Sequence, residues 1–287
     1  MTSIHAYEGV MTQNQINRHC FPGVKSTSWP LQQLQHYYDH KLVTKHDAYN
    51  VNGHYLKEII YTLETNGARI AARQEKIAWS EFKCRKNPRW ITLVHDLTIN
   101  DIRLSFAEAC ENDNAFSLGR WISEYELSQV SPRIPGRLDG FFTLRRKVRK
   151  LSGSVEQLAL HLEIDTGSHP INRLLRRKVK PILKYFGSDK YVRYFGVPDG
   201  ACLFVTTSEK RLHNIKKAIE ESGGAGLFYL TTLDAVSSGT VLTEPIWYLS
   251  GSDYLFSIEN IPLSPVEAGV LNDVTGPRLP VQESLFV

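Results

Sequence analysis

Two methionines and four cysteines are all the sulfur that 287 residues carry. The cysteines, Cys20, Cys84, Cys110 and Cys202, stand far apart without a CxxC pair. That spacing excludes a cysteine-based zinc module and a disulfide framework, and predicts reduced thiols. No run approaches the ~20 apolar residues of a membrane-spanning helix, and the start, MTSIHAYEGVMTQ, lacks the basic-then-apolar order of a secretion signal. A cytoplasmic protein with no membrane contact is expected. Acid is scarce in one region and base in another: Arg133 to Arg193 holds fifteen Lys/Arg against five Asp/Glu, whereas Thr240 to Val287 holds Arg278 alone against six acids. The net charge of +4 conceals this asymmetry. The middle suits a polyanion and the end does not.

The length suits two domains. A hydrophobic content of 42% with 22% charged residues places the chain among ordinary globular proteins. In the N-terminal third, TQNQINRHCF predicts a short helix with Thr12 as N-cap and Gln15 completing a capping box. A second helix follows STSWP, with Ser28 as cap, Pro30 in the first turn and Leu31, Leu34, Tyr38 and Leu42 at helical spacing. Strand, polar loop and strand then precede a short helix. Helix, turn, helix and β-hairpin form the winged helix-turn-helix pattern, whose second helix enters the major groove of double-stranded DNA. Lys25, Ser26, Thr27, Gln32, Gln33 and Gln35 are the candidate DNA contacts on or before that helix, with Lys45 and His46 on the wing. A module used only for protein docking or dimerisation satisfies the same pattern. His36 and His40 have the spacing of two metal ligands on a helix, without an evident third.

In the middle of the chain, HDLTINDIRLSFAEAC predicts a helix opening at Thr98, capped with Asp101. Three strand-like segments follow, RWISEYEL, GRLDGFFTL and QLALHLEID, then an amphipathic helix, the strand ACLFVTTS, the helix RLHNIKKAIEES and the strand GLFYLTT. Helix, three strands, helix, strand is the order of the restriction-endonuclease-like α/β fold. There an Asp at the second strand and a (D/E)xK pair at the third converge on Mg²⁺, because residues two apart on a strand share a face. Asp139 and Glu163 stand in those positions, and Asp165 stands where the Lys would be. Lys178, the one base near the apolar face of the following helix, can reach back as a migrated cation. Asp139, Glu163, Asp165 and Lys178 are thus the candidate catalytic residues of a Mg²⁺-dependent nuclease, and a site kept only for binding uses the same acids. Arg145, Arg146, Lys147, Arg149 and Lys150 form a basic hairpin, and Arg173, Arg176 and Arg177 lie on the outer side of the helix. Both sets are candidate contacts to DNA phosphates.

The segments YTLETNGARIAA, HDLTINDIRLSF, WISEYEL, RLDG, LEIDTGS and RKVKPILKYF, in that order, resemble the replication-relaxation family of plasmid and mobile-element proteins. The resemblance spans roughly residues 10 to 235. It implies a winged helix at 1–75, a nuclease-like domain at 76–240 and a role in plasmid replication or relaxation of DNA during mobilisation. It adds Glu124 to Asp139, Glu163 and Asp165 as a candidate metal ligand; a relaxase or replication initiator is a candidate partner, and a homodimer a further option. An acid at the position of Asp165 is common to this family's pattern, which favours a non-catalytic domain over a nicking enzyme. A transcriptional repressor is the third class of function open to the chain.

Residues 241–287 form an acidic, Pro-containing tail with little periodicity after Tyr254. Its QESLF resembles the pentapeptide by which bacterial proteins bind the sliding clamp. Gln282 would set register there, and Leu285 and Phe286 would anchor, although Glu283 replaces the usual apolar second residue.

Overall fold

The computed structural model describes residues 1–26, 28–46, 50–51, 54–55, 58–80, 82, 92–113, 115–129, 138–146, 155–195, 200–261 and 264–266. It is a mixed α/β structure that divides between Leu104 and Ser105 into two compact units. None of its described helices is long and apolar enough to cross a membrane.

The first unit begins with helix α1 (Thr2–Ala6), strand β1 (Val10–Thr12) and helix α2 (Gln13–Cys20). Thr12 caps α2 through the box legible in the sequence: its hydroxyl accepts from the Gln15 N–H, and the Gln15 side chain accepts from the Thr12 N–H. The Gln15 amide also donates to the Leu97 carbonyl at 2.8 Å. Helix α3 (Ser28–Asp39) places Pro30 in its first turn and buries Leu34. Strand β2 (Val43–His46), the short β3–β4 ladder (Asn50–Val51 with His54–Tyr55) and β5 (Ile60–Leu63) follow. Strands β1, β5 and β2 form an antiparallel sheet in that order. Helix α4 (Thr65–Gln74) lies so close to the turn before β2 that a Cβ on Gly67 would collide with the Leu42 carbonyl oxygen. Ile4, Met11, Ile16, Leu34, Val43, Leu63 and Ala68 meet in the core.

Helix α5 (Leu93–Asn112) starts five residues earlier than the Thr98 capping box implies. Thr98 sits inside the helix with its hydroxyl donating to the Val94 carbonyl, and Asp96 in the first turn accepts from Thr92.

The second unit is built on one sheet in the order β13-β12-β11-β10-β9-β8-β6. Its strands are β6 (Phe116–Leu118), β8 (Gly140–Arg146), β9 (Val155–Asp165), β10 (Ala201–Thr206), β11 (Phe228–Thr232), β12 (Trp247–Leu249) and β13 (Leu255–Phe256). Two short strands lie off this path: β7 (Ile122–Ser123) pairs with β8, and β14 (Ser264–Val266) pairs with β9. Strands β9, β10 and β11 are parallel and their other neighbours antiparallel. The parallel steps need crossovers. Helices α7 (Ile171–Leu174), α8 (Lys180–Tyr185) and α9 (Asp189–Phe195) supply the first, and α10 (Glu209–Glu221) the second. A π turn, Leu175–Val179, joins α7 to α8. Pro181 has no N–H to return to the Arg177 carbonyl, the condition under which a helix widens locally. The crossover helices pack Leu174, Val179, Ile182, Leu212 and Ile215 against Cys202, Phe204, Phe228 and Leu230. On the other face Phe106 packs against Phe142, their rings tilted and 4.8 Å apart.

Two further expectations are corrected here. RWISEYEL is not one strand: Ile122–Ser123 pairs for two residues, and helix α6 (Glu124–Gln129) then takes over. Ser123 and Glu126 form a capping box, the Ser123 hydroxyl accepting from the Glu126 N–H and the Glu126 carboxylate from the Ser123 N–H. The tail expected from residue 241 instead carries β12, β13 and β14, with Trp247 fully buried and its indole N–H donating to the Val241 carbonyl.

Candidate functional site

Strand β9 alternates apolar and polar residues over its last half. Leu160, Leu162 and Ile164 face one side, and His161, Glu163 and Asp165 face the helix-covered side. All three polar residues are buried, at 4%, 5% and 6% exposure, so each needs a partner. Each finds one on a different element: His161 meets the Tyr191 hydroxyl of α9 at 3.0 Å, Glu163 meets Lys178 of the π turn, and Asp165 meets Arg211 of α10.

The Lys178 ammonium donates to Glu163 Oε2 at 2.8 Å and stands 3.7 Å from Asp139 Oδ1. Burial alone would lower its pKa; the charges of Glu163, Asp139 and Glu124 and the hydrogen bond to Glu163 outweigh that and raise it. Lys178 is therefore an ammonium ringed by acids. Asp139 precedes β8 and also binds backbone: its N–H donates to the Leu162 carbonyl at 2.9 Å, and its Oδ2 accepts from the Ile164 N–H at 2.7 Å. Its Oδ1 is the oxygen turned to Lys178. Glu124 opens α6, and its N–H donates to the Asp139 carbonyl at 3.2 Å.

Asp165 is held by a bidentate guanidinium. Arg211 donates from Nε to Oδ2 and from Nη2 to Oδ1 at 2.8 Å, with a further bond from Nη2 to the His169 carbonyl at 2.7 Å. The Thr206 hydroxyl, from the adjacent parallel strand, adds a third bond to Oδ2 at 2.8 Å. Gly167, at φ +78, lets the chain turn away beneath Arg211 after β9. Hydrogen bonding to Asp165 raises the Arg211 pKa.

The structure thus brings Asp139, Glu163 and Lys178 together, with Glu124 near enough to act on Lys178, and turns Asp165 toward Arg211. Among the described residues no group of three or more His, Cys, Asp or Glu side chains is arranged to hold a metal ion. Lys178 and Arg211 already pair with the acids that would have to bind Mg²⁺. Cys202, in the neighbouring strand, is fully buried, and burial followed by the Glu163 charge pushes its thiol well up.

The candidate DNA contacts separate into distinct environments. Lys25, Ser26, Gln32 and Gln35 are exposed, while Gln33 and Lys45 are partly covered; the Gln35 amide already donates to Asp39 at 2.7 Å. Arg145 is half-buried, with Nε on Gln157 Oε1 at 3.3 Å and Nη2 buried without a hydrogen-bond partner, so its guanidinium is not a free surface charge. Arg146 is exposed and lies over the Phe116 ring. Arg176 and Arg177 are exposed, and Arg173 is partly buried. Thr27, Lys147, Arg149, Lys150 and the tail residues Gln282, Leu285 and Phe286 lie outside the described residues. The His36 and His40 rings lie 4.1 Å apart, tilted by 42°, with His40 Nδ1 on the His36 carbonyl.

A family model for replication-relaxation matches residues 2–198. The chain belongs to the replication-relaxation family. That membership points to the replication or relaxation of plasmid or mobile-element DNA. No curated protein and no solved structure matches the chain. The match ends before β10 and α10, so Thr206 and Arg211 lie beyond the residues the family model covers. Sequence reasoning missed both. One signal was present: Arg211 stands in the first turn of α10, where a cation opposes the helix dipole unless an acid compensates it.

Proposed function

We propose that this replication-relaxation protein binds duplex DNA of a plasmid or mobile element through an N-terminal winged helix-turn-helix, and that its restriction-endonuclease-like domain grips DNA without cutting it. The DNA-reading part is supported by the succession of α2, α3 and the β2–β5 hairpin. Lys25, Ser26 and Gln32 are exposed on or before α3, the helix that would enter a major groove on this reading. The absence of cutting is supported by one observation above the others: each buried acid of β9 and its neighbour Asp139 is matched to a resident base, Lys178 or Arg211. A catalytic metal would have to displace a hydrogen-bonded ammonium.

Incubating supercoiled plasmid with the protein and Mg²⁺ or Mn²⁺, beside a gel-shift series on duplex DNA, tests both halves. The expected result is a shift that weakens steeply with salt and no nicking. Metal-dependent nicking that vanishes in Asp139→Ala and Glu163→Ala establishes the second reading, an endonuclease. That reading would use Lys178, which stands beside both acids, as the cation that offsets phosphate charge.

A further inference from the structure

Between Arg173 and Arg193 the crossover carries eight Lys/Arg and one acid, Asp189. Lys178 turns inward to Glu163. Arg176, Lys180 and Lys184 follow one another at four-residue spacing on the exposed side, a row about 12 Å long at the ~1.5 Å rise of a helical residue. Like charges four apart on a helix repel. Among the described residues no ion pair relieves them, and none forms on Lys190 in α9. The contrast with α10 is internal to the same unit: there Lys216 pairs with Glu220 at 2.6 Å and Lys217 with Glu221 at 4.0 Å.

These cations border an open groove of about 780 Å³, lined by Arg176, Lys180, Lys184 and Lys190 with Tyr185, Ser188 and one acid, Asp189. Tyr185 is 5% exposed, and its hydroxyl is buried without a hydrogen-bond partner. A buried hydroxyl without a partner is costly, and a row of cations beside it is the complement of a phosphate oxyanion. Burial, and then the proximity of Tyr194, pushes the phenol pKa up, so the hydroxyl keeps its proton and can donate it. We infer that this groove is a phosphate site that seats the backbone of duplex DNA, with Lys180 and Lys184 as the charge contacts and Tyr185 as a hydrogen-bond donor. The inference rests on the duplex-DNA reading proposed above.

Anisotropy titrations of a labelled random-sequence duplex with the full chain, from 50 to 200 mM KCl, test it. Lys180→Ala with Lys184→Ala is expected to flatten the slope of log Kobs against log salt by about 1.8, at ~0.9 per phosphate contact. Over that four-fold range the variant loses about twelve-fold less affinity than the parent protein. Lys216→Ala with Lys217→Ala, which removes paired charges, should leave the slope unchanged. Tyr185→Phe should weaken binding about five-fold with no change of slope, because it removes a hydrogen bond and no charge. Identical slopes for the parent and the Lys180/Lys184 variant overturn the groove while the DNA-binding proposal stands. Failure of the parent to bind duplex removes both. A groove that takes up inorganic phosphate at matched ionic strength, with an unaltered duplex slope, overturns the assignment to DNA in favour of a small-anion site.

Discussion

Exchanging Lys178 for Met keeps the aliphatic stem and removes the ammonium, leaving Glu163 and Asp139 buried at 5% and 4% exposure beside a position with no cation. Removing one partner of a buried pair costs about 3–5 kcal/mol. The Lys178 side chain retains 22% exposure, so water screens part of the loss, and the lower end, about 3 kcal/mol, applies. Glu163→Gln is milder, about 1.5 kcal/mol, because the amide oxygen still accepts from Lys178. Asp139 also remains 3.7 Å from that ammonium. Combining the two removes one charge of each sign and so restores the parent's net charge. The double variant should sit only about 2 kcal/mol below the parent, a non-additivity of about 2.5 kcal/mol. Urea titrations followed by tryptophan emission read this directly, since Trp121 and Trp247 are buried in the second unit. A pH series adds a signed check. The folded pKa of Lys178 lies above its ordinary 10.5, so its contribution is fully present below that value and is lost as pH rises through the folded pKa. The gap between parent and Lys178→Met should therefore hold steady from about pH 7 to 10 and close above that. Single-variant costs that add to within about 0.5 kcal/mol would refute the coupling.

Burial lowers the His161 pKa to about 3 from 6.5, so below pH 6.5 the unfolded chain takes up the proton first. Stability should fall by about 2 kcal/mol between pH 7.5 and 5, and a slope undiminished in His161→Phe would contradict this. Arg211→Met should cost about 3 kcal/mol at Asp165, and Arg211→Lys should recover only part of it because an ammonium cannot form the fork. Full recovery in urea melts would count against the bidentate geometry. Gly67→Ala forces a methyl onto the Leu42 carbonyl. It should destabilise the first unit by about 2 kcal/mol, and an unchanged circular-dichroism melt would show that α4 can move away.

Local signals in the sequence translated into structure where the chemistry is short-range. The Thr12–Gln15 box and the alternation of β9 each depend on neighbours within a turn or two; of the apolar stripe expected along α3 only Leu34 is buried, while Leu31 and Tyr38 are exposed. RWISEYEL misled because its alternation mimics a strand, although Ser123-x-x-Glu126 was a helix start in plain view. Strands β12 and β13 are three and two residues long, too short for periodicity to register, and are held by tertiary bonds such as that of Trp247 to Val241. At the candidate site the acids and Lys178 were legible from spacing alone. Arg211 was not, because its partner Asp165 lies 46 residues away and only the parallel pairing of β9 with β10 brings α10 to it.

Why so many bases follow so few acids on this crossover has an answer in the pairing itself. A buried carboxylate needs a compensating base, and β9 with Asp139 takes two, Lys178 and Arg211. Those two cations serve the interior and contribute little to the field outside. Cations beyond that requirement have no acid on α7 or α8 to meet, so Arg176, Arg177, Lys180 and Lys184 project an uncompensated field into solvent. Interior and exterior charge are thus separable by residue although they alternate along one helix. The internal pairs set stability with little effect on the salt dependence of DNA binding, and the external row sets that salt dependence with little effect on stability. Lys178→Met should accordingly melt early yet retain the parent's salt slope, whereas Lys180→Ala with Lys184→Ala should melt like the parent and lose part of it. A Lys178→Met protein whose salt slope falls by a full phosphate contact, about 0.9, would place that ammonium on DNA and reopen the site to catalysis.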